Sequence, residues 1–188
     1  PVIMYYAADF ARRWYDIGVW FDAHPSLELA CNNTLILGSK PNPDGKIGPW
    51  DNPWHVVDFA QPAAVQRWVR TVTDSVATGN IDGAFVDGML ADRSGVMGGW
   101  TGRFLNGGGW QHAKCNESHQ AKFLGGLNAS QELLRQQLGP ERIVFANMGP
   151  MRPGDNAIMI EGFHPDNTGL AELQALAPTL VAVHSYDG

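Results

Sequence analysis

Charge is scarce in this chain. Only 17% of its 188 residues are Asp, Glu, Lys or Arg, below the quarter usual for globular domains. The 13 basic residues are outnumbered by 19 acidic ones, for a formal net charge of −6. With no basic surplus to neutralise phosphates, nucleic acid and anionic membrane surfaces are excluded as main partners. No run of 18 apolar residues occurs, so no membrane span is expected. Phosphate-cradling loops are missing too: there is neither a Gly-x-Gly-x-x-Gly after the first strand-like run nor a Walker A sequence. The Gly-x-Ser-x-Gly elbow of serine hydrolases is absent. The 6 histidines, His24, His55, His112, His119, His164 and His184, include no His-Glu-x-x-His or similar close spacing. No metal and no cofactor are therefore expected. Repeats of solenoid length are absent, and no domain boundary is evident, so residues 1–188 read as a single domain. The chain opens at Pro1 rather than Met, which reads as processing or as part of a longer chain.

Cysteine is equally sparse, with Cys31 and Cys115 alone. Two buried free thiols and one disulfide are both open readings. Three glycosylation sequons favour the second and a secreted, extracellular protein: Asn32-Asn33-Thr34, Asn116-Glu117-Ser118 and Asn128-Ala129-Ser130. Two of the three follow the cysteines directly.

What is abundant is glycine and proline, 22 and 12 residues, together with short β-branched and aromatic runs. Val2–Tyr6 reads as a strand. Thr34–Leu37 and His55–Phe59 are shorter candidates, on either side of a turn-rich loop over Lys40–Pro53. Pro62–Ala77 is the clearest helix: Val65, Trp68, Val69, Val72 and Val76 recur at spacings of three and four. Ile81–Asp87 reads as a buried parallel strand, and Gln120–Leu138 as a helix. Ile143–Ala146, Ile158–Glu161 and Leu180–His184 read as further strands, with a helix near Leu170–Ala175. The segment Leu90–Lys114, dense in Gly and Trp, reads as a long functional connection.

Strands alternating with helices mean α/β. A doubly wound sheet and a (β/α)8 barrel both fit. The barrel is favoured, because polar residues end several different strands: Tyr6, Asp87, Asn147, Glu161 and His184. Two of those ends, Asp87-Gly88 and Glu161-Gly162, pair an acid with a glycine. Two carboxylates at strand ends on one face are the equipment of glycoside hydrolysis.

The order Trp54…Asp58-Phe59-Ala60-Gln61-Pro62…Trp68, followed by Ile81-Asp82-Gly83-Ala84-Phe85-Val86-Asp87, resembles TIM-barrel glycoside hydrolases. These are related to the endo-α-1,4-polygalactosaminidase group and, more distantly, to α-galactosidases. The resemblance is specific around residues 54–87. It implies that Val2–Tyr6 is the third barrel strand and that Val144–Asn147, Ile158–Glu161 and Val181–His184 are the fifth, sixth and seventh. The chain is then an incomplete TIM-like barrel of about strands 3 to 7, completed by further chain segments or a partner chain. The Gly/Trp-rich segment after Asp87 departs from the family pattern and leaves the substrate open.

On this reading the chain is a glycoside hydrolase of an oligo- or polysaccharide, retaining, with Asp87 as nucleophile and Glu161 as acid/base; a wider separation of the pair would make it inverting, with Asp87 as the base. Tyr6, Trp54, Asp58, Trp100, Trp110, Asn147 and His184 are candidate carbohydrate contacts. Four of them have a plainer reading: core for the three tryptophans, a helix cap for Asp58. Asp82 reads as a turn residue at the far end of the Asp87 strand, and Asp92 as a solvated loop residue. In the barrel, Cys31 and Cys115 lie in connections leaving neighbouring strands, so a bridge between them is plausible. Other classes stay open: a carbohydrate-binding glycoprotein without turnover, or a polysaccharide lyase or deacetylase.

Overall fold

The β-branched runs become strands, and the amphipathic segments become helices that cover them on one side. The computed structural model describes residues 2–7, 10–11, 16–31, 34–35, 37–38, 54–78, 80–87, 102–106, 109–113, 116–147, 156–161 and 180–184. The strands are β1 (Ile3–Ala7), β2 (Phe10–Ala11), β3 (Ala30–Cys31), β4 (Thr34–Leu35), β5 (Leu37–Gly38), β6 (Trp54–Val56), β7 (Gly83–Asp87), β8 (Gly102–Asn106), β9 (Gly109–Ala113), β10 (Ile143–Asn147), β11 (Ala157–Glu161) and β12 (Leu180–His184). The helices are α1 (Asp16–Asp22), α2 (Pro62–Thr78) and α3 (Glu117–Leu138), with a 3-10 turn at Pro25–Leu27. The expected loop at 40–53 and helix near 170–175 fall outside the described residues, as do Asn32, Trp100 and Cys115.

Five strands form one parallel sheet in the order β1-β7-β10-β11-β12. Each new parallel strand is added on the same side as the last. Right-handed crossovers wound in one direction leave their helices on one face of the sheet. A doubly wound sheet would reverse its strand order and carry helices on both faces. The described parallel strands are thus wound in one direction, with no reversal of their order.

The burial pattern follows from this winding. On α2, Val65, Trp68, Val69, Val72 and Val76 are all buried, the stripe expected from their spacing. They pack with Ala84, Val86 and Val144 of the sheet and with Phe123, Leu127 and Leu134 of α3 in one core. Phe59 sits at the junction, edge-on to Trp68 at 5.7 Å and to Phe123 at 5.6 Å. Between Leu127 and Leu134, the core-facing turn of α3 is filled by Ser130 and Gln131, both fully buried. Ser130 satisfies its hydroxyl by donating to the Leu127 carbonyl at 2.7 Å.

A second, antiparallel sheet runs β2-β6-β5-β8-β9. This corrects two expectations. The Gly/Trp-rich segment contains the hairpin β8–β9, and Trp54 and Trp110 are strand residues rather than loop residues. The hairpin signal was present: Asn106 pairs with Gly109, and the two residues between them in sequence are both glycine. α3 also begins earlier than its apolar pattern, because Asn116 caps it by accepting from the His119 N–H at 2.9 Å.

Two glycines of α3 are opposites. A Cβ on Gly126 would overlap the Phe59 carbonyl, whereas one on Gly125 would meet nothing. Gly126→Ala should therefore cost about 1–3 kcal/mol or more by forcing α3 off the turn before α2. Gly125→Ala should stabilise by about 0.5–1 kcal/mol through helix propensity. Urea unfolding of the two variants checks this pair; equal shifts in both would contradict the close approach at Gly126.

Candidate functional site

Register decides which residues share a face. In the parallel sheet Ala7 pairs with Asp87, Asn147 with Met159, and Glu161 with His184. Ala146 pairs with Val86, so Asn147 stands beside Asp87 on the next rung. Because a strand's side-chain period is two, Asp87, Asn147, Glu161 and His184 all fall on one face at the C-terminal ends of four adjacent strands. It is the face opposite to the one carrying Ala84, Val86 and Val144, which are wholly buried under the helices. β10 lies between the strands of Asp87 and Glu161, and Glu161 lies two residues further along. Ideal strand spacings then separate the two Cα atoms by about 12 Å.

Tyr6 is not part of this group. Its parity is that of Val86, its register partner, and it packs against the helix-side core. Burial pushes its hydroxyl above the usual tyrosine range, and the neighbouring Ser75 hydroxyl offsets part of the rise. Ser75 donates instead to the Thr71 carbonyl at 2.8 Å, and the two hydroxyls do not reach hydrogen-bond geometry. The residue of β1 on the open face is Tyr5, paired with Phe85. On this alternating strand Tyr5 and not Tyr6 shares the parity of Asp87, whose register partner is Ala7.

Asp58 stands in the turn before α2, 3% exposed. One carboxylate oxygen accepts from the Ala60 N–H at 3.1 Å and contacts His119 Nε2 at 3.1 Å. The other accepts from Gln61 Nε2 at 2.9 Å. Gln61 also donates to the Ser26 carbonyl at 2.9 Å. This carboxylate is engaged by the start of α2 and the first turn of α3, the capping role that stood beside the carbohydrate one. His55 is similarly internal. Its Nδ1 stands 2.7 Å from Glu28 and its Nε2 3.2 Å from Asp22, with the ring and Glu28 both buried.

The two described tryptophan candidates part company. Leu37 pairs with both His55 and Arg103, and Arg103 with His112. Trp54 precedes His55 by one residue and Trp110 precedes His112 by two, so they lie on opposite faces of the second sheet. Asp82 is at the N-terminal end of the parallel sheet, where it accepts from the Val2 N–H at 2.7 Å. Cys31 is in β3, paired with Thr34. Asn116 is exposed at the cap of α3, and Asn128 is half-buried within that helix. No helix among the described residues is long and apolar enough to cross a membrane.

No protein-family model and no curated protein matches the chain. Solved structures do. The glycoside hydrolase domain of PelA from Pseudomonas aeruginosa matches 97% of this chain at 16% identity, with a TM-score of 0.57. A point variant of that domain gives 0.57 at 15% identity. The chain spans 66% of the length of both. The galactosidase domain of the α-galactosidase–sucrose kinase AgaSK matches 82% of this chain at 12% identity, with a TM-score of 0.50, and the chain spans 18% of its length. At these identities the likeness is one of fold: the chain is built like part of a glycoside hydrolase domain.

The raised pKa of Tyr6 fixes the sign of an alkaline effect. The neutral phenol is favoured in the fold, so its contribution to stability is complete below the unfolded value of about 10 and is lost as pH climbs through the higher folded value. Tyr6→Phe should flatten the loss of stability between about pH 9 and about pH 11. Urea midpoints of wild type and variant across that range read the difference; parallel curves would mean that Tyr6 ionises no less readily folded than unfolded.

Proposed function

We propose that this chain belongs to a glycoside hydrolase domain acting on an oligo- or polysaccharide, in the group related to endo-α-1,4-polygalactosaminidases. The observation that carries the reading is the shared face of Asp87, Asn147, Glu161 and His184 at the C-terminal ends of adjacent parallel strands, the edge at which barrel enzymes assemble their chemistry. The fold likeness to the PelA glycoside hydrolase domain supports it.

In this reading Asp87 is the nucleophile, carried on a central strand with neighbours on both sides. Glu161, longer and set two residues further out, is the acid/base that protonates the glycosidic oxygen. From Cα atoms about 12 Å apart, an Asp and a Glu facing each other can bring their carboxyl groups to the roughly 5–5.5 Å of a retaining pair. Asn147, beside Asp87, and His184, beside Glu161, would bind sugar hydroxyls. The rest of the barrel would come from strands lying beyond β1 and β12, supplied by further chain or by a partner. The sequons support an extracellular setting, as would a Cys31–Cys115 bridge. At Asn116 the cap uses Oδ1, which leaves Nδ2 for a glycan.

Asp87→Asn and Glu161→Gln should each lower kcat/KM by about 100-fold or more, since each keeps the volume and removes the charge or the proton. The assay is reducing-end release from a panel of amino-sugar and neutral polysaccharides, with circular dichroism to confirm folding. Product anomers read by NMR should show retention. Full activity in either variant would end the assignment of that residue. A wild type that binds but cleaves nothing would make this a carbohydrate-binding domain.

A further inference from the structure

Strands β11 and β12 hold one titratable residue each, and the two are register partners. Ala157-Ile158-Met159-Ile160-Glu161 and Leu180-Val181-Ala182-Val183-His184 are apolar up to their last positions. The parallel register sets Ala157 opposite Leu180, Met159 opposite Ala182 and Glu161 opposite His184 on the open face. Ile158 with Val181 and Ile160 with Val183 fall on the other face. A slip of one residue would set Glu161 or His184 against an aliphatic neighbour and part the two between opposite faces. Neighbouring strands stand about 4.8 Å apart, so an acid and an imidazole occupy adjacent positions at the rim of the sheet. The other titratable residues of this face, among those described, are Asp87 and Tyr5. By ideal strand spacings the Asp87 Cα is about 12 Å from that of Glu161 and about 16 Å from that of His184, beyond the ~8 Å over which salt screens exposed charges. Tyr5 is one strand further off again.

We propose that His184 is a positioning residue for Glu161: the two form a proton-coupled pair in which the imidazole sets the pH range over which the carboxyl keeps its proton. The coupling follows from the register; its effect on rate rests on the hydrolase reading above. Opposite charges a few ångström apart favour each other's ionised forms. An imidazolium beside Glu161 favours the carboxylate, and a carboxylate beside His184 favours the imidazolium. A retaining acid/base needs both of its forms in turn, the acid to protonate the glycosidic oxygen and the carboxylate to take a proton from water. On strands otherwise made of aliphatic residues, desolvation alone favours the acid and opposes the second step. The imidazolium offsets that bias. Linkage makes the effect reciprocal: the shift that His184 imposes on Glu161 equals the shift that Glu161 imposes on His184. A hydrogen bond from His184 to a sugar hydroxyl carries no such reciprocity.

NMR titration of the histidine ring protons on the full chain tests the coupling without a substrate. The His184 signal is identified by its loss in His184→Asn. Its midpoint should fall by about 1 pH unit in Glu161→Gln and hold its place in Asp87→Asn. Circular dichroism checks that each variant is folded. On a glycan that the wild type cleaves, the alkaline limb of kcat/KM should move up by the same ~1 unit in His184→Asn, because the acid form of Glu161 then persists to higher pH. A His184 midpoint that ignores Glu161→Gln overturns the proposal. So does a His184→Asn enzyme that loses kcat/KM with its pH profile unmoved, the signature of a sugar contact alone. Coupling in a chain that cleaves no glycan sustains the pair and removes the hydrolase reading. Hydrolysis that depends on Glu161 without coupling does the reverse.

Discussion

The buried carboxylate of Asp58 is the constraint on which the arrangement of the helices depends. Its oxygens are shared among a backbone N–H, an amide and an imidazole, and its own backbone N–H reaches the Leu27 carbonyl at 3.3 Å. Three segments far apart in sequence are thereby joined: the 3-10 turn, the start of α2 and the start of α3. A carboxylate left unpaired at this depth would cost several kcal/mol, so the three contacts hold as a set. Directly beside it the Phe59 carbonyl meets α3 at Gly126, too close for any side chain. Both helices that flank β7 in sequence are tied at their N-termini. Those are the ends nearest to where β7 delivers Asp87.

From that tie follows a one-sided sheet. Among the described residues, α2 and α3 are bound to each other and to one face of β7 and β10, so the other face of these two strands is free of them. The alternation of each strand then sorts residues without appeal to chemistry. Val86 and Val144 go under helices, whereas Phe85 and Phe145 go to the open face. On β1, Tyr6 packs against the helix-side core, whereas its neighbour Tyr5 is exposed. A functional assignment on such a strand is a claim about odd or even position before it is a claim about residue type.

Much of this was legible in the sequence, and the parts that were not have physical reasons. The α2 stripe was readable because five apolar residues repeat at helical spacing on an otherwise polar segment. The parallel strands were readable because runs such as Ala157–Ile160 are apolar without alternation, as buried parallel strands are. Asp58 was ambiguous because a cap and a ligand contact demand the same residue type, and only its partners distinguish them. β8 and β9 were hidden by composition: glycines that make a tight hairpin also make a loop, and a strand of five residues carries little periodicity. His119 was unreadable as a partner of Asp58, since the contact joins residues 61 positions apart. The shared face of Asp87 and Glu161 was guessed from two acid-glycine endings and rests on a register that no local pattern encodes.

At the N-terminal end of the parallel sheet, polar side chains are used up in fastening strands. Asp82 takes the Val2 N–H, Arg142 donates to the Ile81 carbonyl, and Asn156 both accepts from Val144 N–H at 2.8 Å and donates to the Arg142 carbonyl at 3.1 Å. A side-chain amide that copies a backbone pairing extends β10 without adding a strand residue. Gly83 lets β7 and β10 close together at the same end, since a Cβ there would collide with the Ile143 carbonyl. Register set firmly at one end is carried along five-residue strands to the other, where Asp87 and Glu161 emerge. Asp82, one residue before β7, anchors that register at the end opposite to Asp87.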